Sequence, residues 1–254
     1  MVLPLLEAVI GIALTCVLSA GAVRAGALTL VAGVVATIFG SFIVVVGGFP
    51  YLALLVLFVV ASVLATRFRF EDKLRKNVQE GTHGERGVAN VLAHVVVPSA
   101  LVAVGWIAPT VLPPATTAFL YASALAFGAS DTFASEFGVL AGRARSLLTR
   151  KLVTPGTNGG VSALGEAWAF VGAFTTALVG AGLFRLFGQP VPPLGTFLLG
   201  VTLAGFLGCQ VDSLLGETLE NRHYLSKGGT NLVAMFITVL IAWGLLAALG
   251  SGPG

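Results

Sequence analysis

The sequence predicts an all-α fold: a polytopic transmembrane helical bundle of about eight spans with a polar site at its cytoplasmic face. Three observations predict it. Of 254 residues, 56% are hydrophobic and only 10% charged, where soluble domains carry roughly 25% charged residues. Apolar runs long enough to cross a bilayer recur along the chain. Thirteen of the fourteen cations fall in alternate connections between those runs.

The runs lie near 3–22, 27–46, 49–66, 90–108, 114–130, 161–184, 194–212 and 231–249, forming one integral membrane domain over 1–254. The first has no basic stretch before it and contains Glu7, so it reads as a span and not as a cleaved signal. The second and third are parted only by Gly47-Gly48-Phe49-Pro50, a tight-turn signal. The runs at 114–130 and 194–212 are short, and each ends at an aspartate, Asp131 and Asp212. Cys16 and Cys209 lie far apart in apolar surroundings and imply neither a disulfide nor a metal framework.

Charge sets the orientation. The connections after the first, third, fifth and seventh runs hold Arg24, then the cations from Arg67 to Arg86, then Arg143, Arg145, Arg150 and Lys151, then Arg222 and Lys227. The other side holds Arg185 alone. The positive-inside rule places the charged connections in the cytoplasm of a cell-membrane protein and both termini outside. Ten of the eleven acids follow the cations to that side. Carboxylates at span ends are costly beside a bilayer, and such cost points to function.

Asp131-Thr-Phe-Ala-Ser-Glu136 and Asp212-Ser-Leu-Leu-Gly-Glu217 share one pattern and close two spans that run the same way. Each is followed by a basic connection and then by Thr157-Asn158 or Thr230-Asn231. Two similar hairpins side by side would bring both aspartates to one depth. Carboxylates from separate hairpins suit Mg²⁺, usually held by one or two carboxylates plus substrate phosphates. Asp131 and Asp212 are the first candidates as metal ligands. Glu136 and Glu217 follow, as catalytic ligands or as partners of nearby cations. On a straight helix residues five apart point about 140° apart. Asp131 and Glu136 thus share a target only if the helix breaks there; otherwise they serve different neighbours.

The turn Gly156-Thr157-Asn158-Gly159-Gly160 is expected to open a helix. Glycine-freed N–H groups at a helix N-terminus bind phosphate well, and Thr157 or Asn158 can serve as the cap. Arg143, Arg145 and Lys151 supply charge for a nucleotide triphosphate. Arg86, Asn90, Ser213, Arg222, Lys227 and Asn231 are candidates for a second phosphate, that of the substrate. A site at the membrane face with these parts implies a lipid phosphate. No Ser-His-Asp, Cys-His or zinc spacing occurs, and no nucleic-acid module.

With these motifs in order from about Arg67 to Asn231, the sequence resembles the integral membrane proteins that include plant phytyl-phosphate kinase and its archaeal and bacterial relatives. The resemblance implies transfer of the terminal phosphate of CTP to an isoprenyl monophosphate (phytyl, geranylgeranyl or polyprenyl), giving the diphosphate. The stretch Asp131, Ala134, Gly138, Gly142, Arg145 and Gly156 also resembles the CTP-binding signature of dolichol and phytol kinases. Arg145 stands there in place of a usual lysine and Pro155 in place of a usual glutamate. Asn90 and His94 stand where the family more often has Gln and Asn. Two other functions use similar parts: a transporter or flippase of a phosphorylated lipid, and a lipid-phosphate cytidylyltransferase. The small-residue-rich spans can pack within one chain or between copies, so a homo-oligomer stays open.

Overall fold

The computed structural model describes residues 4–250. Its long helices are α1 (Leu5–Arg24), α2 (Leu30–Gly47), α3 (Phe49–Arg67), α5 (Val88–Ile107), α6 (Pro114–Gly138), α7 (Ala163–Leu186), α8 (Leu194–Leu215) and α9 (Lys227–Gly250), with a short α4 (Phe70–Arg75) after α3. Local sequence sets their ends. Thr29 caps α2 by accepting the Ala32 N–H at 3.3 Å. Gly48, at φ +98°, makes the turn into α3, where Pro50 occupies the first turn, a place that needs no N–H donor.

Seven of these helices are long and apolar enough to cross a membrane by length and composition. The eighth, α6, falls outside that group because it is rich in Ala, Ser and Thr. Its surroundings explain the difference. Every residue from Thr117 to Ser130 is buried, and α3, α5, α7, α8 and α9 pack around it. A helix that meets other helices instead of lipid can exchange bulk for small residues and close contact. Its hydroxyls are satisfied: Ser123 donates to the Phe119 carbonyl at 2.9 Å, Ser130 to the Ala169 carbonyl at 2.9 Å, and Tyr121 to the Tyr51 carbonyl at 2.8 Å. The outer helices carry the reverse pattern, with α1 and α2 exposing Leu5, Leu6, Val17, Leu30 and Ile38.

Glycines on its neighbours let α6 be approached closely. A Cβ at Gly205 of α8 would stand 2.8 Å from the Ala126 carbonyl carbon, and one at Gly172 of α7 2.7 Å from the Ala129 carbonyl oxygen. Backbone cannot give way as a side-chain tip can.

Three boundaries that bear on the site differ from the sequence expectation: α8 runs past Asp212 to Leu215, and those of α6 and α9 move further. Helix α6 runs to Gly138, so Asp131 and Glu136 lie within a continuous helix and not at a span end. Helix α9 begins at Lys227, four residues before the expected start. The connection 139–162 also contains a small antiparallel sheet in an otherwise helical protein: β1 (Ala144–Ser146) lies between β2 (Leu152–Val153) and β3 (Gly160–Val161), with Arg145 opposite both Leu152 and Val161.

Replacing Gly205 with Val should lower stability by about 1–3 kcal/mol through overpacking. Gly182→Ala, where a Cβ meets nothing within 4 Å, should leave it unchanged. Thermal denaturation of the detergent-purified protein reads both.

Candidate functional site

The charged connections gather at one end of the bundle and, with the ends of α6, α8 and α9, enclose a polar cavity of about 270 Å³. Asp131 on α6 and Asp212 on α8 meet there, their carboxyls within hydrogen-bonding reach of each other. Asn231 of α9 lies between them. In one amide orientation its nitrogen donates to Asp131 Oδ2 at 3.4 Å. Turned over, it donates to Asp212 Oδ1 at 3.2 Å and to the Lys227 carbonyl at 3.0 Å, which satisfies both ends of the amide. Ser213 and Lys227 line the same cavity. The Lys227 ammonium pairs with Glu80 Oε2 at 2.8 Å. Burial pushes the Glu80 carboxyl up, but Lys227 and Arg86 outweigh it and hold the group below its ordinary value.

The turn 156–160 forms another wall. Gly156 and Gly159 have φ of +93° and +75°, and a Cβ on Gly159 would collide with Glu217. The turn does not open the helix, contrary to the expectation from sequence. Gly160 and Val161 pair as β3, and the cap of α7 is Ser162, which accepts the Gly165 N–H at 3.1 Å. Thr157 instead donates to the Thr154 carbonyl at 2.7 Å, and Asn158 donates to Glu220 Oε1 at 3.0 Å. The N–H groups of Asn158 and Gly159 make no backbone hydrogen bond among the described residues, so both are available to an anion.

Other expected residues lie elsewhere. Arg143, Arg145 and Lys151 are exposed on the connection that carries the sheet, and Arg145 donates to the Arg150 carbonyl at 3.0 Å. Arg222 is exposed in the turn before α9. None of these four lines the cavity. For the first three the reason is the sheet: its cations are exposed, while Ala144, Val161 and the glycine turn line the cavity. Glu217, in the π-helical turn Gly216–Glu220, accepts from Ser146 Oγ and from the Leu148 N–H at 3.1 Å. It fastens the sheet to α8. Arg86 and Asn90 stand behind Glu80, Asn90 donating to Glu80 Oε1 at 3.4 Å and Arg86 to Asn90 Oδ1 at 3.2 Å.

Glu136 reaches the cavity wall, but both its oxygens are held. Oε1 accepts from Thr66 Oγ1 at 2.7 Å, and Oε2 pairs with Lys73 Nζ at 2.7 Å. Lys73 is fully buried and also donates to the carbonyls of Ala65 at 2.7 Å and Thr66 at 3.1 Å. Asp131 and Glu136 therefore serve different neighbours, as their separation on an unbroken helix requires. Sequence reasoning missed Lys73, because nothing in Phe-Glu-Asp-Lys-Leu-Arg distinguishes it from the cations beside it. It also missed Glu220 and Glu166. The latter lines the cavity and accepts from Gln210 Nε2 at 2.9 Å.

The cavity is acidic. Glu80, Asp131, Glu136, Glu166, Asp212 and Glu220 line it, with Lys227 as the one cation among the described lining residues. Among the described residues no group of three His, Cys, Asp or Glu side chains is arranged to hold a metal by itself. Two carboxylates with room for further oxygens fit Mg²⁺, which keeps waters and shares substrate phosphates. Zn²⁺ sites are built mainly on His and Cys ligands, and neither a histidine nor a pair of cysteines lines this cavity among the described residues.

Residues 13–246 match the family model described as integral membrane protein DUF92. The chain belongs to this family. An uncharacterized membrane protein of Methanocaldococcus jannaschii is 31% identical over 81% of this chain and 80% of its own length. An uncharacterized membrane protein of Synechocystis is 30% identical over 78% of this chain and 74% of its own. Protein PGR of Arabidopsis thaliana is 30% identical over 70% of this chain and 67% of its own length. No solved structure matches the chain. DUF92 membership agrees with an integral membrane protein built from apolar helices, and the names of these relatives add no activity.

Lys73→Met leaves the Glu136 carboxylate buried and unpaired. It should destabilise the protein by about 3–5 kcal/mol, and adding Glu136→Gln should recover part of that loss. Asp72→Asn, which breaks an exposed pair with Arg69, should move the melting temperature little.

Proposed function

We propose that this protein is a membrane phosphotransferase that moves the terminal phosphate of CTP onto an isoprenyl monophosphate, giving the isoprenyl diphosphate and CDP. The observation that carries the reading is the meeting of Asp131 and Asp212, from two similarly patterned segments, in one cavity with the 156–160 turn, Lys227 and Asn231. The choice of CTP and of an isoprenyl acceptor comes from the resemblance of the motifs.

Electrostatics supports a metal-dependent reaction. A nucleotide triphosphate would bring several negative charges to a cavity already rich in carboxylates, and Lys227 alone cannot offset them. Asp131 and Asp212 would hold Mg²⁺, which neutralises developing charge on the transferring phosphoryl group. The chain's own groups do the rest. The Asn158 and Gly159 N–H groups receive phosphate oxygens. Lys227, anchored through Glu80, presents its ammonium to the transferred group. Asn231 orients the two aspartates. An oxygen of the lipid phosphate forms the new bond to the γ-phosphorus as the bond to the β–γ bridging oxygen breaks, and CDP leaves with that electron pair. The acceptor is already ionised, so no strong general base is needed.

Polar groups concentrated at one end of the bundle favour an enzyme over a transporter, whose binding residues lie near the bilayer midplane. Purified protein incubated with labelled CTP, Mg²⁺ and geranylgeranyl monophosphate should release CDP and form the diphosphate. Asp131→Asn and Asp212→Asn should each lower turnover by about a hundredfold or more, and chelation of Mg²⁺ should abolish it. Release of pyrophosphate would identify a cytidylyltransferase, and near-normal turnover of Asp131→Asn would remove the metal role.

A further inference from the structure

A second cavity lies between α1, α2, α3 and α5, with a volume of about 150 Å³. Leu18, Ala36, Leu52, Val56, Val59 and Val95 give it apolar walls. One end differs: Ser62, Arg86, Asn90 and His94 line it. Three of these are almost completely buried, with exposures of 1% for Ser62, 6% for Arg86 and 3% for His94. Each has a buried polar atom without a hydrogen-bond partner: Ser62 Oγ, Arg86 Nε and His94 Nε2. Arg86 makes no salt bridge among the described residues. Its other nitrogens contact only neutral oxygens, Asn90 Oδ1 at 3.2 Å and Thr66 Oγ1 at 3.4 Å. Buried polar atoms are almost always partnered, and three of the seven orphans among the described residues belong to side chains at this one end of the cavity.

The polar end is also the partition between the two cavities. Asn90 lines the apolar one, Glu80 lines the acidic one, and the two side chains are hydrogen-bonded at 3.4 Å. A ligand filling the apolar cavity would set its head against that partition, one side chain from Lys227 and the aspartates.

We propose that this cavity binds the first part of the hydrocarbon chain of a single-chain amphiphile, with its anionic head received by Arg86, Asn90 and His94. Apolar walls match the chain, and a buried guanidinium without a carboxylate partner matches the charge of the head. A void of about 150 Å³ lodges an apolar group of benzene size, so it takes the head-proximal units, and a longer tail continues beyond it. The assignment of the head as phosphate rests on the function proposed above; the site itself rests on the cavity and its orphaned polar atoms.

The test uses the full-length protein in nanodiscs and a geranylgeranyl monophosphate bearing a diazirine on the isoprene unit nearest the head, without nucleotide. After irradiation, mass spectrometry should place the label on α1, α2, α3 or α5 residues that line this cavity. Unlabelled geranylgeranyl monophosphate should compete, hexadecyl phosphate should compete through the same head, and geranylgeraniol should compete at least about tenfold less well. Arg86→Met should remove the advantage of the phosphates over the alcohol. Ala36→Phe, which fills the cavity, should reduce labelling about tenfold, with its folding checked by thermal denaturation. Label on α6, α8 or α9, or equal competition by the alcohol, overturns the proposal. Labelling here without any diphosphate formation would refute the kinase reading and leave this site standing. Diphosphate formation with the label elsewhere would refute this site alone.

Discussion

The enclosure of α6 is the constraint on which the other features depend. A helix rich in alanine and hydroxyl residues gains little by facing lipid, and it can stay within the bundle only if neighbours cover all of it. They do so through close backbone contact, Gly172 and Gly205 lying against the carbonyl groups of Ala129 and Ala126. Once α6 is held in this way, its last turns are carried past the apolar layer with the helix intact. Asp131 then meets α8 and α9, and Glu136 meets Lys73 on the far side. One rigid element thus delivers a carboxylate to the cavity and another to a structural ion pair.

Charge is distributed unevenly around that end. The arginines of the 139–162 connection are numerous but point away, while the cavity has more carboxylates than its one lining lysine can balance. An acidic chamber framed by an outer basic rim has two separable electrostatic tasks. A basic rim raises the local concentration of anions in general. The chamber admits an anion together with a divalent cation more readily than the anion alone. Arg143, Arg145 and Lys151, which the sequence assigns to the ligand, therefore stand outside the cavity.

Much of the fold was legible because apolar length and charge alternation are statements about lipid and water, which act on every residue. The pairing of Asp131 with Asp212 was legible for a related reason: matching patterns at the ends of two parallel-running spans imply matching depth. What escaped depends on tertiary contact. The extension of α6 beyond residue 130 needs Lys73 and Asn231 as partners for acids that would otherwise end an apolar run. The sheet forms from strands of two or three residues, too short for a periodic pattern. Lys73 became a buried ion-pair partner, and Arg143 did not, through loop geometry that no spacing encodes.

The residue at position 86 is joined to the α1–α2 hairpin by main chain alone. Its N–H donates to the Ala27 carbonyl at 3.0 Å, and its carbonyl accepts the Thr29 N–H at 3.1 Å. Any amino acid except proline can form both bonds. The clasp that seats the outermost hairpin therefore places no demand on which side chain stands there. Main-chain seating and side-chain chemistry are uncoupled at this one position, so a homologue can change residue 86 while the hairpin keeps its seat.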